Sequence, residues 1–233
     1  MAEKKRTRAK IKVNDALFDI SKALNLIQKE LPKYQEPVVT TYGRQASRPA
    51  FKVLISCILS LRTRDEQTRQ ASARLFAMAD TPEAISAMEE ARIEELIYPV
   101  GFYRTKAGVI RNACRVIVDD YGGQTPCTIE ELLKIRGVGR KTANLVMTEG
   151  HGRPGICVDT HVHRICNIWG YVTTSTPDRT EMALREKLPK RHWIEINNLL
   201  VTFGQNVCKP VSPICSICPL KDACPRVGVK RSR

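Results

Sequence analysis

Nowhere in its 233 residues does the chain hold an apolar run near the ~18 that a membrane crossing requires. An apolar signal segment at the N-terminus is also missing, and the nine cysteines are an odd number. A secreted, disulfide-framed protein is thereby disfavoured, and a reducing cytoplasm is the expected setting. Convincing period-two alternation is absent, so sheets are not expected, and no segment recurs at the periods of solenoid repeats. Acidic residues are the scarce charge: 24 Asp and Glu face 38 Lys and Arg, for a net charge of +14 and an isoelectric point near 9.6. That imbalance points to a polyanionic partner.

What the chain does contain is a succession of helical patterns, most of them closed by proline or glycine. They fall at about 14–31, 48–60, 65–78, 82–88, 90–98, 104–121, 128–135, 140–149, 160–169, 178–187 and 191–204, and the expected class is all-α. The segment 104–118 sets Val109, Ile110, Ala113, Val116 and Ile117 on one face, opposite Arg104, Arg111 and Arg115, the stripe of a core-facing helix with a basic back. Residues 1–12, MAEKKRTRAKIK, read as a disordered basic arm that adds nonspecific attraction for phosphate. A chain of this length buries roughly 70% of its unfolded surface, so a substantial core is expected.

Four cysteines, Cys208, Cys215, Cys218 and Cys224, are spaced C-x6-C-x2-C-x5-C among four prolines and few bulky apolar residues. Such a segment cannot hold its shape by burial alone, and a metal centre or disulfides must supply the missing core. Structural zinc favours two close ligand pairs split by a longer run. One pair flanked by single cysteines suits a cubane iron–sulfur cluster better, with zinc and disulfides as the alternatives. The other five, Cys57, Cys114, Cys127, Cys157 and Cys166, are scattered, most in apolar stretches, and read as buried thiols.

Residues 132–144, LLKIRGVGRKTAN, place Gly137, Val138 and Gly139 between two helical stretches. The glycines permit a sharp turn and close approach by another backbone, and the N-terminus of the next helix makes an anion nest for a phosphate. Lys141 stands in the first turn of that helix, where the macrodipole disfavours a cation and favours the neutral amine that attacks carbon. A solvated lysine on a phosphate is the plainer reading. Asp159, in CVDTHVHR, precedes a helix as an N-cap does, and a carboxylate fixed there also serves as a base or as support for a developing cation. His161 and His163 share no metal-binding face and read as surface or phosphate-contacting residues.

Taken together, the hairpin lysine, the later aspartate, the cysteine loop and the basic helical body resemble the endonuclease III family of DNA glycosylases, within the helix-hairpin-helix superfamily. The resemblance runs from about Arg48 (RPAFKVLISCILS) to Cys224. It implies that Lys141 is the nucleophile, that Asp159 is the catalytic carboxylate, and that the four cysteines ligate a 4Fe-4S cluster. It implies two helical domains flanking a DNA groove: a six-helix barrel with the hairpin at 43–153, and a cluster domain joining 13–42 to 154–233. The implied partner is duplex DNA carrying damaged bases or abasic sites, bound by a monomer, nucleoid-associated in a prokaryote. The implied activity is removal of oxidised pyrimidines with β-elimination at the abasic site. Besides the hairpin and His161, Arg62 and Phe102 are implied DNA contacts. Arg62 stands where the family often has the glutamine that fills the vacated stack, and Phe102 replaces an aliphatic wedge. Ser60 and Asp65 match family positions near the pocket, and Arg136 replaces a frequent proline before the turn. A monofunctional mismatch or adenine glycosylase lacks the lysine, and a noncatalytic DNA-binding module has no need of it.

Overall fold

The computed structural model describes residues 18–34, 37–45, 47 and 49–233, and the basic arm at 1–12 lies outside them. Among the described residues all regular structure is helical: α1 (Ile20–Glu30), α2 (Val38–Gln45), α3 (Pro49–Ser60), α4 (Asp65–Met78), α5 (Pro82–Ala87), α6 (Glu90–Ile97), α7 (Tyr103–Tyr121), α8 (Ile129–Leu132), α9 (Arg140–Leu145), α10 (Thr160–Ile168), α11 (Pro177–Lys187) and α12 (Ile196–Asn206). Local chemistry sets many of the starts. Asp19, Thr81, Thr128, Asp159 and Thr176 each accept first-turn N–H groups, and each such cap stabilises its helix by about 1 kcal/mol. Pro82 and Pro177 open α5 and α11, where no helical N–H is lost.

Two apolar cores divide these helices. The first runs from Val38 to Met147 and takes in Cys157, with α3 at its centre; Phe51 and Val53 to Leu59 are all buried. The stripe on α7 faces it, with Ile110, Ala113 and Ile117 wholly buried and Arg104 and Arg115 outside. The second core joins α1 to α10, α11, α12 and Leu220 of the cysteine loop, around Trp169, Phe203 and Leu200. Phe18 stacks on Trp169 at 5.0 Å between ring centres. Each large side chain so buried contributes about 1.5–3 kcal/mol. The chain enters the first core near Val38 and returns between Ile156 and Cys157.

The helices differ from the expected ranges in several places, with α1 and α12 beginning only at Ile20 and Ile196. Helix α2 was not expected, because its four β-branched residues, Val38 to Thr41, mask the helical period. Tertiary packing makes it, and at Gly43 a Cβ would stand 2.5 Å from the Glu149 carbonyl oxygen. The stretch expected at about 128–135 is helical only over Ile129–Leu132. The one at about 140–149 changes after Leu145 into a π turn, Val146–Gly150.

Candidate active site and cysteine loop

Helices α8 and α9 form the hairpin. Gly137 carries the left-handed conformation, φ +86°, and a Cβ there would lie 2.6 Å from Val109 Cγ1. Gly139, expected to share that duty, is instead extended at φ −98° and is the N-cap of α9. It offers no side chain to the first-turn N–H groups, so the helix end is left for an outside acceptor. Ile135 and Val138 anchor the turn in the first core, while Arg136, Arg140 and Lys141 remain exposed.

Lys141 sits over two buried thiols. Cys157 Sγ lies 3.6 Å from the Lys141 carbonyl oxygen. Burial pushes the Cys57 thiol up to about 12, against the pull of the Lys141 cation. Burial also pushes Cys157 well up, with Lys141 lowering it and Asp159 raising it. Asp159 is 8% exposed. Its Oδ1 accepts from the N–H groups of His161 at 2.8 Å and Val162 at 2.9 Å, so the cap occupies one carboxylate oxygen and Oδ2 takes no part in it. His161 is half-buried, and α12 approaches it so closely that a Cβ on Gly204 would stand 2.4 Å from its Nδ1. Burial lowers its pKa; Asp159 opposes this, and Arg164 and Lys141 add to it. The charges of Lys141 and Asp159 thus meet at Cys157 and His161.

Two further carboxylate and guanidinium contacts hold this arrangement, and the sequence reading had not singled them out. Buried Glu181 on α11 accepts from Arg140 Nη2 at 2.7 Å, Arg185 Nη2 at 2.9 Å and Asn144 Nδ2 at 3.3 Å, tying the hairpin helix to the second core. Arg164 Nη2 donates to the Cys208 carbonyl oxygen at 2.5 Å, joining the helix that Asp159 caps to the cysteine loop. Their signal in the sequence is phase alone: Glu181 falls on the buried face of α11 with Thr180 and Leu184.

Cys208, Cys215, Cys218 and Cys224 line one small cavity of about 20 Å³, walled by Trp169, Phe203 and Val207. They carry no disulfide. The Cys208 thiol, pushed up to about 11 by burial, feels each of the other three. Leu220 N–H donates to Cys218 Sγ at 3.4 Å. No three His, Cys, Asp or Glu side chains among the described residues are already drawn around one coordination point. The donor set is nonetheless four soft sulfurs in a mostly apolar wall, with an amide hydrogen bond to one of them, which fits an iron–sulfur cluster. Of the remaining cysteines, Cys57, Cys114, Cys157 and Cys166 are buried as expected, and Cys127 is only partly so.

Arg62 and Phe102 come together on a separate ridge. Both are exposed, both have left-handed backbones (φ +52° and +59°), and the guanidinium lies 5.7 Å from the ring centre. Ser60 donates to the Cys57 carbonyl oxygen at 2.8 Å, and Asp65 accepts from Val38 N–H at 3.2 Å and from Arg69 Nη2 at 3.2 Å, so it braces α2 and α4.

The model of the HhH-GPD superfamily of base excision DNA repair proteins matches residues 55–190. Endonuclease III of Thermotoga maritima is 48% identical over 174 residues, covering 75% of this chain and 82% of that one. A chloroplastic endonuclease III homolog of Arabidopsis thaliana is 42% identical over 219 residues, 88% of this chain and 57% of that protein. A solved structure of a trapped endonuclease III–DNA covalent intermediate superposes with a TM-score of 0.77 at 33% identity, over 88% of this chain and 93% of that one.

Proposed function

Because the chain belongs to the HhH-GPD superfamily of base excision DNA repair proteins, with endonuclease III relatives across most of its length, we propose that it is a DNA glycosylase and abasic-site lyase for oxidised pyrimidines in duplex DNA, with Lys141 and Asp159 as its catalytic residues. The two cores serve as the two domains, and the basic surface binds the phosphate backbone. A reducing compartment that holds DNA suits its unpaired cysteines.

Chemistry begins by taking the damaged nucleotide out of the stack, which costs a few kcal/mol and is easiest for lesions that pair or stack badly. The hairpin N–H groups hold a phosphate, and Arg62 and Phe102 enter the gap. The unprotonated Lys141 amine attacks C1′ of the sugar as the C1′–N bond breaks, and the base leaves with that electron pair and a proton. The free Oδ2 of Asp159 faces the positive charge that develops on the sugar and relays the proton lost by the amine. Ring opening gives a Schiff base between Lys141 and C1′. Its electron sink acidifies C2′, and loss of that proton expels the 3′ phosphate, cutting the strand. The single observation that carries this reading is the Asp159 cap: the backbone fixes Oδ1 and spares Oδ2, while the charges of Asp159 and Lys141 bear on the same two neighbours.

The four cysteines of the loop would hold a 4Fe-4S cluster, which would supply the positive charge that keeps buried thiolates deprotonated. Bound there, it would give the loop a core, and Arg164, which donates to the Cys208 carbonyl, would carry that order to α10. Borohydride reduction of wild-type protein on an abasic or thymine-glycol duplex should yield a covalent protein–DNA adduct, and Lys141→Ala should yield none. An undiminished adduct with that variant removes Lys141 from the reaction.

A further inference from the structure

Among the described residues, Lys106 is the one lysine the core encloses. It lies on the buried face of α7, 6% exposed, in phase with Ile110, Ala113 and Ile117. Its Nζ donates to the carbonyl oxygens of Leu59 and Leu61, each at 2.7 Å, and to Thr63 Oγ1 at 3.0 Å. All three partners are oxygens of uncharged groups on the last turn of α3 and the loop that follows it. A buried ammonium with no counter-ion is costly, and here three acceptors replace the water it has lost. Burial still draws its pKa down to about 8.

The same contacts bring a second loop into register. Thr63 Oγ1 also accepts from Gly101 N–H at 3.1 Å. The two backbones meet so closely that a Cβ on Gly101 would stand 2.6 Å from the Arg62 carbonyl oxygen. Arg62 and Phe102, one on each loop, are both held in the left-handed region that branched and bulky residues avoid. Nothing in either side chain favours that conformation, so surrounding bonds must impose it. A cavity of about 410 Å³ separates this ridge from the hairpin, between Leu61, Arg62, Phe102, Lys106 and Gly137. The ridge therefore has open space on one side and the ammonium beneath it.

We infer that Lys106 is a positioning residue: it locks the Leu59–Thr63 and Gly101–Phe102 loops into one blade, so that Arg62 and Phe102 enter the duplex as a preassembled pair. The inference rests on the glycosylase reading above and adds to it the part that holds the blade. A methionine at this position matches the length of lysine but removes all three of its hydrogen bonds to the loop and leaves both strained residues free to relax.

The test uses the full chain and two substrates. A thymine-glycol duplex must be opened by the blade, whereas a single-stranded abasic oligonucleotide needs no opening. In single-turnover excision on the duplex, Lys106→Met should be slower by about tenfold, and its loss on the duplex should exceed its loss in borohydride trapping on the single strand by at least about fivefold. Phe102→Ala should show the same imbalance, and the double variant should lose little more, as expected of residues acting as one unit. Thr63→Ala removes one tie and should give a smaller imbalance, about threefold, which decides the matter if the circular dichroism of Lys106→Met shows it unfolded. Equal losses on both substrates, or no loss, would overturn the inference. A wild-type protein that neither excises nor traps removes the glycosylase reading itself, a result distinct from an active wild type with balanced variants.

Discussion

Replacing Glu181 with glutamine is the most informative perturbation of the contact between the two cores. The carboxylate is 4% exposed and accepts from Arg140 through Nε at 3.2 Å and Nη2 at 2.7 Å, and from Arg185 through Nε at 3.0 Å and Nη2 at 2.9 Å. Removing the charge from a fully buried pair costs about 3–5 kcal/mol. Arg140 and Arg185 are 42% and 28% exposed, so water replaces part of what they lose, and glutamine keeps one acceptor oxygen. A cost of about 2–3 kcal/mol is the reasonable expectation, and at this chain length it lowers Tm by about 5–10 °C. Arg140 immediately precedes Lys141, so adduct formation should also slow by about five- to tenfold as the hairpin helix loses its brace. A pH signature separates this contact from general damage. Burial raises the Glu181 pKa, but the hydrogen bonds and charges of Arg140 and Arg185 outweigh it and hold the group below its ordinary 4.5. The unfolded chain therefore takes up this proton first. The contribution is fully present above about pH 4.5 and is lost as pH falls through the depressed value. Thermal melts of wild type and Glu181→Gln should converge in that acid range. A variant with wild-type Tm at pH 7, or a constant gap between the melts down to pH 3, would refute the assignment.

Cys218→Ser should strip the brown visible absorbance of anaerobically purified protein and its iron, as read by elemental analysis; zinc without iron in the wild type would replace the cluster with another centre. Gly137→Ala places a Cβ 2.6 Å from Val109 Cγ1 in a left-handed residue. It should cost about 1–3 kcal/mol in denaturant melts and weaken duplex binding, and a neutral result would show that the hairpin turn is not held as described.

Much of this was legible beforehand because the signals were local. The helical period and the cap at Asp159 depend on residues a few positions apart. The all-α class and most helix ranges follow from them. The cysteine spacing and the Gly-Val-Gly turn are likewise short patterns, and Lys141 and Asp159 were proposed from equally short ones, the helix start after the turn and the cap in CVDTHVHR. What escaped was long-range. Lys106 meets oxygens 43 to 47 residues away, and Glu181 meets Arg140 across 41. A lysine in phase with a buried stripe reads as a blemish in the pattern until its acceptors are known. Helix α2 escaped for the opposite reason, since its local sequence favours extended chain and only its neighbours make it helical.

Helix α1 packs against α12, and Arg191 Nη2 reaches Ser21 Oγ at 2.9 Å across 170 residues. The first core, in contrast, is one continuous stretch from Val38 to Cys157. On the ribosome, a barrel built from that stretch is free to form as it emerges, while α1 waits in the open for a mate that is translated long afterwards. Because α10, which Asp159 caps, belongs to the late-closing half, a nascent chain completes the core beneath Lys141 before the core around α10 can close.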